Sequence, residues 1–290
     1  MNDVGFQPGP VTRPVGLETE FGVLCAPVGP PEEMKADLLD VERAAALIFR
    51  HRPVGYRSTN LFLPNGGRLY LDIGAHPEYA TAECVRVRDL VAQDQAGRAI
   101  LADMARRAAA RLAQEGTAAR FHLLANNTDS AGHTYGCHES YSVPRSLLDV
   151  TDDATRASSE TAMAVLTSFL ATRPVLVGSG RPLAGGPTES KQGSRGAGEE
   201  AAWGLSPRAP HLQALTSADT TGQRALVNTR DEPHADATRL RRLHVTCADT
   251  TMAEPTTGLR SAVTLLLLDA LEAGWDLSDL ALADPTATLS

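Results

Sequence analysis

Arg68-Leu-Tyr-Leu-Asp-Ile-Gly-Ala-His-Pro-Glu-Tyr-Ala-Thr-Ala-Glu83 is the stretch on which the reading of this chain turns. An apolar run from Leu69 to Ile73 carries one carboxylate, Asp72, in its interior. A Gly-Ala-His-Pro turn follows, and then Glu78 and Glu83. An acid inside an apolar strand is costly unless it is paired, hydrogen-bonded or neutralised. Three acids in and around such a strand point to a cation, a basic substrate or a proton transfer. The plainer alternative is a half-exposed strand whose acids face water.

Working outward, Pro64-Asn-Gly-Gly67 is a strong turn signal, so 57–63 and 68–73 read as a hairpin. Upstream, 15–25 reads as a strand whose period of two places Glu18 and Glu20 on one face, with Leu17, Thr19 and Phe21 on the other. Two acids side by side on a strand repel unless a cation lies between them. A helix is expected over 31–50 and a long one over 86–115, with Leu, Val, Ile and Ala at helical spacing. Strands are expected at 121–125 and from Thr134, where His138 and Glu139 must point to opposite faces. His138 in a strand is a possible ion or phosphate ligand, or a satisfied core residue. Further on, 161–172 reads as a helix, 174–178 as a buried strand and 178–198 as a polar loop. Residues 225–228 and 239–247 read as strands, with Arg242 and His244 on one face. A charged run containing Arg230 lies between these two strands. A Leu-rich helix over 250–273 follows, and residues 1–14 read as a disordered tail.

At 290 residues and 42% hydrophobic, the chain can bury a full core, built of Leu, Val and Ala because aromatics are only 4%. A net charge of −8 argues against a nucleic-acid partner, which needs a basic surface. The four cysteines lie far apart with no C-x-x-C spacing, so free thiols in a reducing cytoplasm are expected. The longest apolar run, near Val263–Leu268, is too short to cross a bilayer, and no membrane partner is expected. No Walker A loop, kinase signature, Gly-x-Ser-x-Gly elbow or His-Glu-x-x-His motif occurs. Acids on neighbouring strands can hold Mg²⁺, and Arg can contact phosphate oxygens. The residues alone therefore reach as far as a Mg-nucleotide site on a mainly antiparallel sheet.

Several long motifs add to this. Gly16-Leu-Glu-Thr-Glu-Phe-Gly22, Asn65-Gly-Gly-Arg-Leu-Tyr-Leu-Asp72, His76-Pro-Glu-Tyr-Ala-Thr-Ala-Glu83, Asn126-Asn-Thr-Asp-Ser-Ala-Gly132, Tyr135-Gly-Cys-His-Glu139, Asn228-Thr-Arg-Asp-Glu-Pro-His-Ala-Asp236 and Arg241-Arg-Leu-His-Val245 resemble the Pup ligase and depupylase family. That family is related to glutamine synthetase and the carboxylate–amine ligases. The resemblance implies an α+β fold: a curved, mainly antiparallel sheet with helices on its convex side. Residues 15–290 would be one catalytic domain, with the family's smaller C-terminal domain absent. It implies ATP and Mg²⁺ as cofactors, and Pup and lysine-bearing proteins as partners. ATP would phosphorylate the side-chain carboxylate of Pup's C-terminal Glu, and a lysine would then form an isopeptide bond. Carried over, Asp72 resembles the catalytic base. Glu18, Glu20, Glu78, Glu83 and His138 resemble metal ligands, and Arg230, Arg242 and His244 resemble nucleotide contacts. Depupylation or deamidation, phosphoryl transfer to another substrate, and a non-catalytic nucleotide-binding module stay open as alternatives.

Overall fold

The computed structural model describes residues 13–29, 38–53, 58–125, 135–183, 202–219, 223–231 and 235–288. In chain order the elements are β1 (Val15–Glu20), β2 (Gly22–Pro27), α1 (Val41–Phe49), β3 (Asn60–Phe62), β4 (Arg68–Asp72), β5 (His76–Ala80), α2 (Val87–Gln114), β6 (Ala119–Leu124), β7 (Cys137–Pro144), α3 (Arg156–Thr172), α4 (Pro174–Val177), β8 (Arg181–Leu183), β9 (Ala202–Gly204), β10 (Ala214–Ser217), β11 (Ala225–Asn228), β12 (Leu240–Val245) and α5 (Glu254–Glu272). Eight strands form one sheet in the order β10-β11-β12-β7-β1-β5-β4-β3. Within it only the β10–β11 pair is parallel. The α+β class with a large, mainly antiparallel sheet is thus the observed one.

The alternation read from the sequence sets the two faces of β1. Val15 and Leu17 are buried, together with Tyr141, Val143, Leu243 and Val245 of β7 and β12, against Leu166 and Leu170 of α3 and Leu268 of α5. Burying each such side chain contributes about 1.5–3 kcal/mol. Residues 156–177 are long and apolar enough to cross a membrane by length and composition, but half of that stretch is buried inside the protein. A second core lies beyond Phe21, where Val23 and Cys25 of β2 pack with Ile48 and Phe49 of α1 and Leu101 and Met104 of α2.

The structure alters several local expectations. The predicted strand 15–25 is two strands in two sheets: β1 belongs to the large sheet and β2 pairs with β6. The break is at Phe21, whose N–H donates to the Pro77 carbonyl (2.9 Å). Gly22 follows, and the Tyr135 ring lies 2.7 Å from where a Cβ would stand, so a larger residue there would have to displace that ring. The helix expected from residue 31 begins at Val41, capped by the Asp40 carboxylate accepting from Arg43 N–H (2.8 Å); residues 31–37 lie outside the described ones. The stretch 174–178, expected as a buried strand, is the short helix α4, with Val175 and Leu176 exposed. Pro174 sits at its first position, where the missing N–H costs nothing. The β3–β4 hairpin is as expected, with Gly66 at φ +82° in its turn. Most of the polar stretch 178–198, the tail 1–12 and the centre of the Arg230 run (232–234) also lie outside the described residues.

Candidate active site

Placing β1 between β5 and β7 builds the site. Glu18 stands directly opposite His138 of β7, and Glu20 directly opposite Glu78 of β5. Tyr70 of β4 stands opposite Glu78, and Asp72 opposite His76. One face of five neighbouring strands therefore collects Glu18, Glu20, Tyr70, Asp72, His76, Glu78, His138, Arg242 and His244.

Glu18 is the hub. Its Oε1 accepts from Arg242 Nη2 (2.9 Å), and its Oε2 lies 3.3 Å from His138 Nδ1 and 4.0 Å from His244 Nε2. Burial works against its charge, but His138, Arg242 and His244 outweigh that and hold it down at about 2. Arg242 is aligned by donating from Nε to Ser140 Oγ (3.0 Å). His244 is pushed down to about 3 by burial and by the charges of His138, Arg242 and Arg230, so it is a neutral imidazole. Its Nε2 is buried with no hydrogen-bond partner among the described residues.

Glu20 is held by His76 Nδ1 (2.5 Å) and by the Gly136 N–H. Among the described residues Glu78 accepts from the Tyr70 hydroxyl alone, at its Oε1. Burial first, and the Glu18 and Asp72 charges after it, push Glu78 up to about 7 against the pull of Tyr70 and His138. Two acids opposite each other on paired strands, one of them pushed toward its neutral form, repel unless a cation lies between them. The carboxylate donor set therefore fits Mg²⁺, which prefers oxygen ligands.

Asp72 is at the exposed end of β4, on the Tyr70 side of the strand. Beside the acids runs a cleft of about 470 Å³, lined among others by Glu18, Arg68, Thr81, Glu83, Ser140 and Arg242. Its guanidinium groups suit phosphate oxygens. Glu83 is exposed on this cleft wall, in the segment beyond β5 rather than opposite Glu20 as Glu78 is. Arg230 is exposed after β11, near enough for its charge to act on His244.

Reading the sequence did not single out Tyr70, His76 or Arg68 as site residues. Tyr70 and Arg68 share Asp72's face by period two, a signal that was available. His76 stood inside the turn, and only its cross-strand position opposite Asp72 reveals it. Glu139, as expected, points the other way: it is fully buried, with Arg173 Nη1 at 2.8 Å, Arg260 Nε at 2.9 Å and the Tyr141 hydroxyl at 2.6 Å.

A face of carboxylates and imidazoles on an antiparallel sheet, beside an Arg-lined cleft, offers the ligand types that metal ions and phosphates take. The family model for Pup-ligase protein matches residues 13–290, and the chain belongs to that family. It is 46% identical over 273 residues to the Pup–protein ligase of Xylanimonas cellulosilytica, covering 94% of this chain and 54% of the relative. It is 45% identical over 270 residues to that of Jonesia denitrificans, covering 93% and 53%. The chain thus spans about half the length of the curated relatives it matches. Among solved structures it is similar to the ligase PafA in complex with prokaryotic ubiquitin-like protein Pup (TM-score 0.78, 36% identity, covering 96% of this chain and 50% of that one). It is also similar to the Pup ligase PafA in complex with ADP (TM-score 0.67, 38% identity, covering 90% and 53%).

Proposed function

We propose that this chain carries the ATP- and Mg²⁺-binding face of a Pup ligase, which phosphorylates the side-chain carboxylate of Pup's C-terminal Glu and joins it to a protein lysine. The observation that carries the reading is the Glu20–Glu78 pair, two acids opposed across β1 and β5 beside the Arg-lined cleft. Glu18, Glu20 and Glu78 would hold Mg²⁺, with His138 and Glu83 at the margins of the set. Bound there, the ion would neutralise charge on the transferring phosphoryl group. Arg242 is aimed by Ser140 and Glu18 and would contact phosphate oxygens; Arg230 and His244 border the same region. Arg68, whose guanidinium lies 4.3 Å from the Tyr70 ring centroid, would face the same ligand from the other wall.

A carboxylate is a poor acyl donor until one oxygen is part of a phosphate leaving group, and a lysine must lose its proton before it attacks. Asp72 is exposed at the strand end, with no ion pair among the described residues, and would accept that proton. Four buried free thiols agree with a reducing, cytoplasmic setting. The test is Asp72→Asn, assayed with a Glu-terminated Pup and a lysine-bearing protein. Conjugation should fall at least a thousandfold while Mg-ADP affinity stays within about threefold. Retained conjugation would refute the base assignment. ADP release without conjugate in the wild type would favour phosphoryl transfer or hydrolysis, and no turnover would favour a binding module.

A further inference from the structure

We propose that the outer edge of β6, with the α2 surface beside it, is a docking groove that takes an extended acidic segment of another protein as an added strand. This surface is separate from the acid-bearing face. The Thr19 hydroxyl, on the opposite side of β1 from Glu18 and Glu20, donates to Asp94 of α2 (2.9 Å), so α2 lies behind that face.

β6 has β2 on one side and, among the described residues, no strand on the other. The ladder fixes which groups are left over. Val28 N–H donates to the Ala118 carbonyl (3.1 Å), and in an antiparallel pair every second opposed pair exchanges bonds. With Ala26 opposite Arg120 and Leu24 opposite His122, it is Arg120, His122 and Leu124 that bond to β2. Two details agree. Pro27, opposite Ala119, has no N–H to give. The Cys25 carbonyl, opposite Phe121, is turned the other way and accepts from Leu38 N–H (2.8 Å). Ala119, Phe121 and Leu123 therefore direct their N–H and C=O groups outward, the arrangement that strand addition uses.

Along this edge runs a cleft of about 630 Å³. Every residue from Ala119 to Leu124 lines it, which a cleft on one face of the strand would not allow. Ala102, Ala105, Arg106 and Ala109, one face of α2, form the opposite wall, and the three methyl groups leave a guest backbone room to approach. Alternation sets the chemistry of the guest. Phe121 and Leu123 pack toward the core beneath α2, so guest residues beside them meet the Ala-lined wall and should be small and apolar. Arg120 is exposed and shares the other strand face with His122. Guest residues opposite these two should be acids, because opposite charges across paired strands attract. Arg106 adds to the same sign, and no acid lines the cleft in a chain of net charge −8.

Tag-free full chain would be titrated into a fluorescein-labelled peptide of alternating Val and Glu, following anisotropy for affinity and amide hydrogen exchange for register. The peptide should bind, and exchange should slow at the alternate amides Ala119, Phe121 and Leu123. Lys in place of Glu in the peptide, and separately Arg120→Glu in the protein, should each weaken binding at least about tenfold. Ala119→Pro removes an outward N–H and nothing that β2 uses, and should weaken binding in protein whose melting temperature matches wild type. No binding of the acidic peptide, equal binding of the Lys peptide, unchanged affinity in Arg120→Glu, or binding without protection of those three amides would overturn the proposal. Displacement of the peptide by Pup would also overturn it, by assigning the groove to the conjugation reaction itself.

Discussion

The two faces of strands β1 and β7 use the same kinds of residue to opposite ends. On the helix-covered face each acid is matched. Glu139 meets Arg173, Arg260 and Tyr141, and Asp94 meets Thr19 (2.9 Å) and Arg98 (3.0 Å). On the open face, among the described residues, Glu20 has one imidazole and a backbone N–H, and Glu78 a tyrosine hydroxyl. Both faces contain buried or half-buried carboxylates, so burial alone does not mark a site. The mark is several acids crowded on one face, Glu78 among them pushed toward its neutral form.

The comparison can be broken most directly on the matched face. Arg173→Met should leave Glu139 in the core with Arg260 and the Tyr141 hydroxyl but without its second guanidinium, and cost on the order of 3 kcal/mol, read as a lower urea midpoint. A loss below about 1 kcal/mol would show that the network is not the anchor described here.

The two faces should also respond oppositely to pH in the metal-free chain. Glu139 is held below the ordinary carboxylate range by Arg173 and Arg260 against the cost of burial. Its stabilisation is present above the unfolded value and is lost as pH falls through the folded one. Glu78 faces Tyr70, Glu18, Asp72 and His138, with Glu20 across the strand pair, and is raised to about 7. Its contribution is complete below about 4.5, the unfolded value, and is lost as pH rises through about 7. In chelator, stability should therefore decline between about pH 5 and 8 by on the order of 2 kcal/mol. Glu78→Gln should flatten that decline, and Mg²⁺ should reverse it. A decline that persists in Glu78→Gln would assign the effect elsewhere.

Smaller effects sharpen the contrast. Asp72→Asn, at an exposed strand end, should change unfolding free energy by no more than about 0.5 kcal/mol, so any loss of conjugation would be chemical. Smallest of all, native protein should be inert to an aromatic disulfide reagent at neutral pH. All four thiols are buried; burial raises Cys137, and Cys247 is pushed up to about 11. All four should react after denaturation, and rapid native labelling would show that the matched face opens readily.

Much of the open face was legible before any fold was known. Period two put Glu18 with Glu20 and Arg242 with His244, and it separated His138 from Glu139. The pairing of strands far apart in sequence was not legible. Glu20 meets Glu78 only because β5 lies beside β1, and Arg173 and Arg260 reach Glu139 only because α3, α4 and α5 cover the other face. The strand expected at 174–178 failed for a related reason. Three apolar residues after a Pro suit a buried strand or a helical turn equally, and the packing beside α3 and α5 selected the turn.

The amino-acid sequence by itself determined which side chains share a strand face, because alternation is a property of the extended backbone. It also carried the motifs that place the chain in its family. The tertiary structure alone decided which acids became opposed neighbours and which received a guanidinium partner. Those outcomes depend on strand order and helix docking, which arise from burying two apolar cores and not from any local spacing.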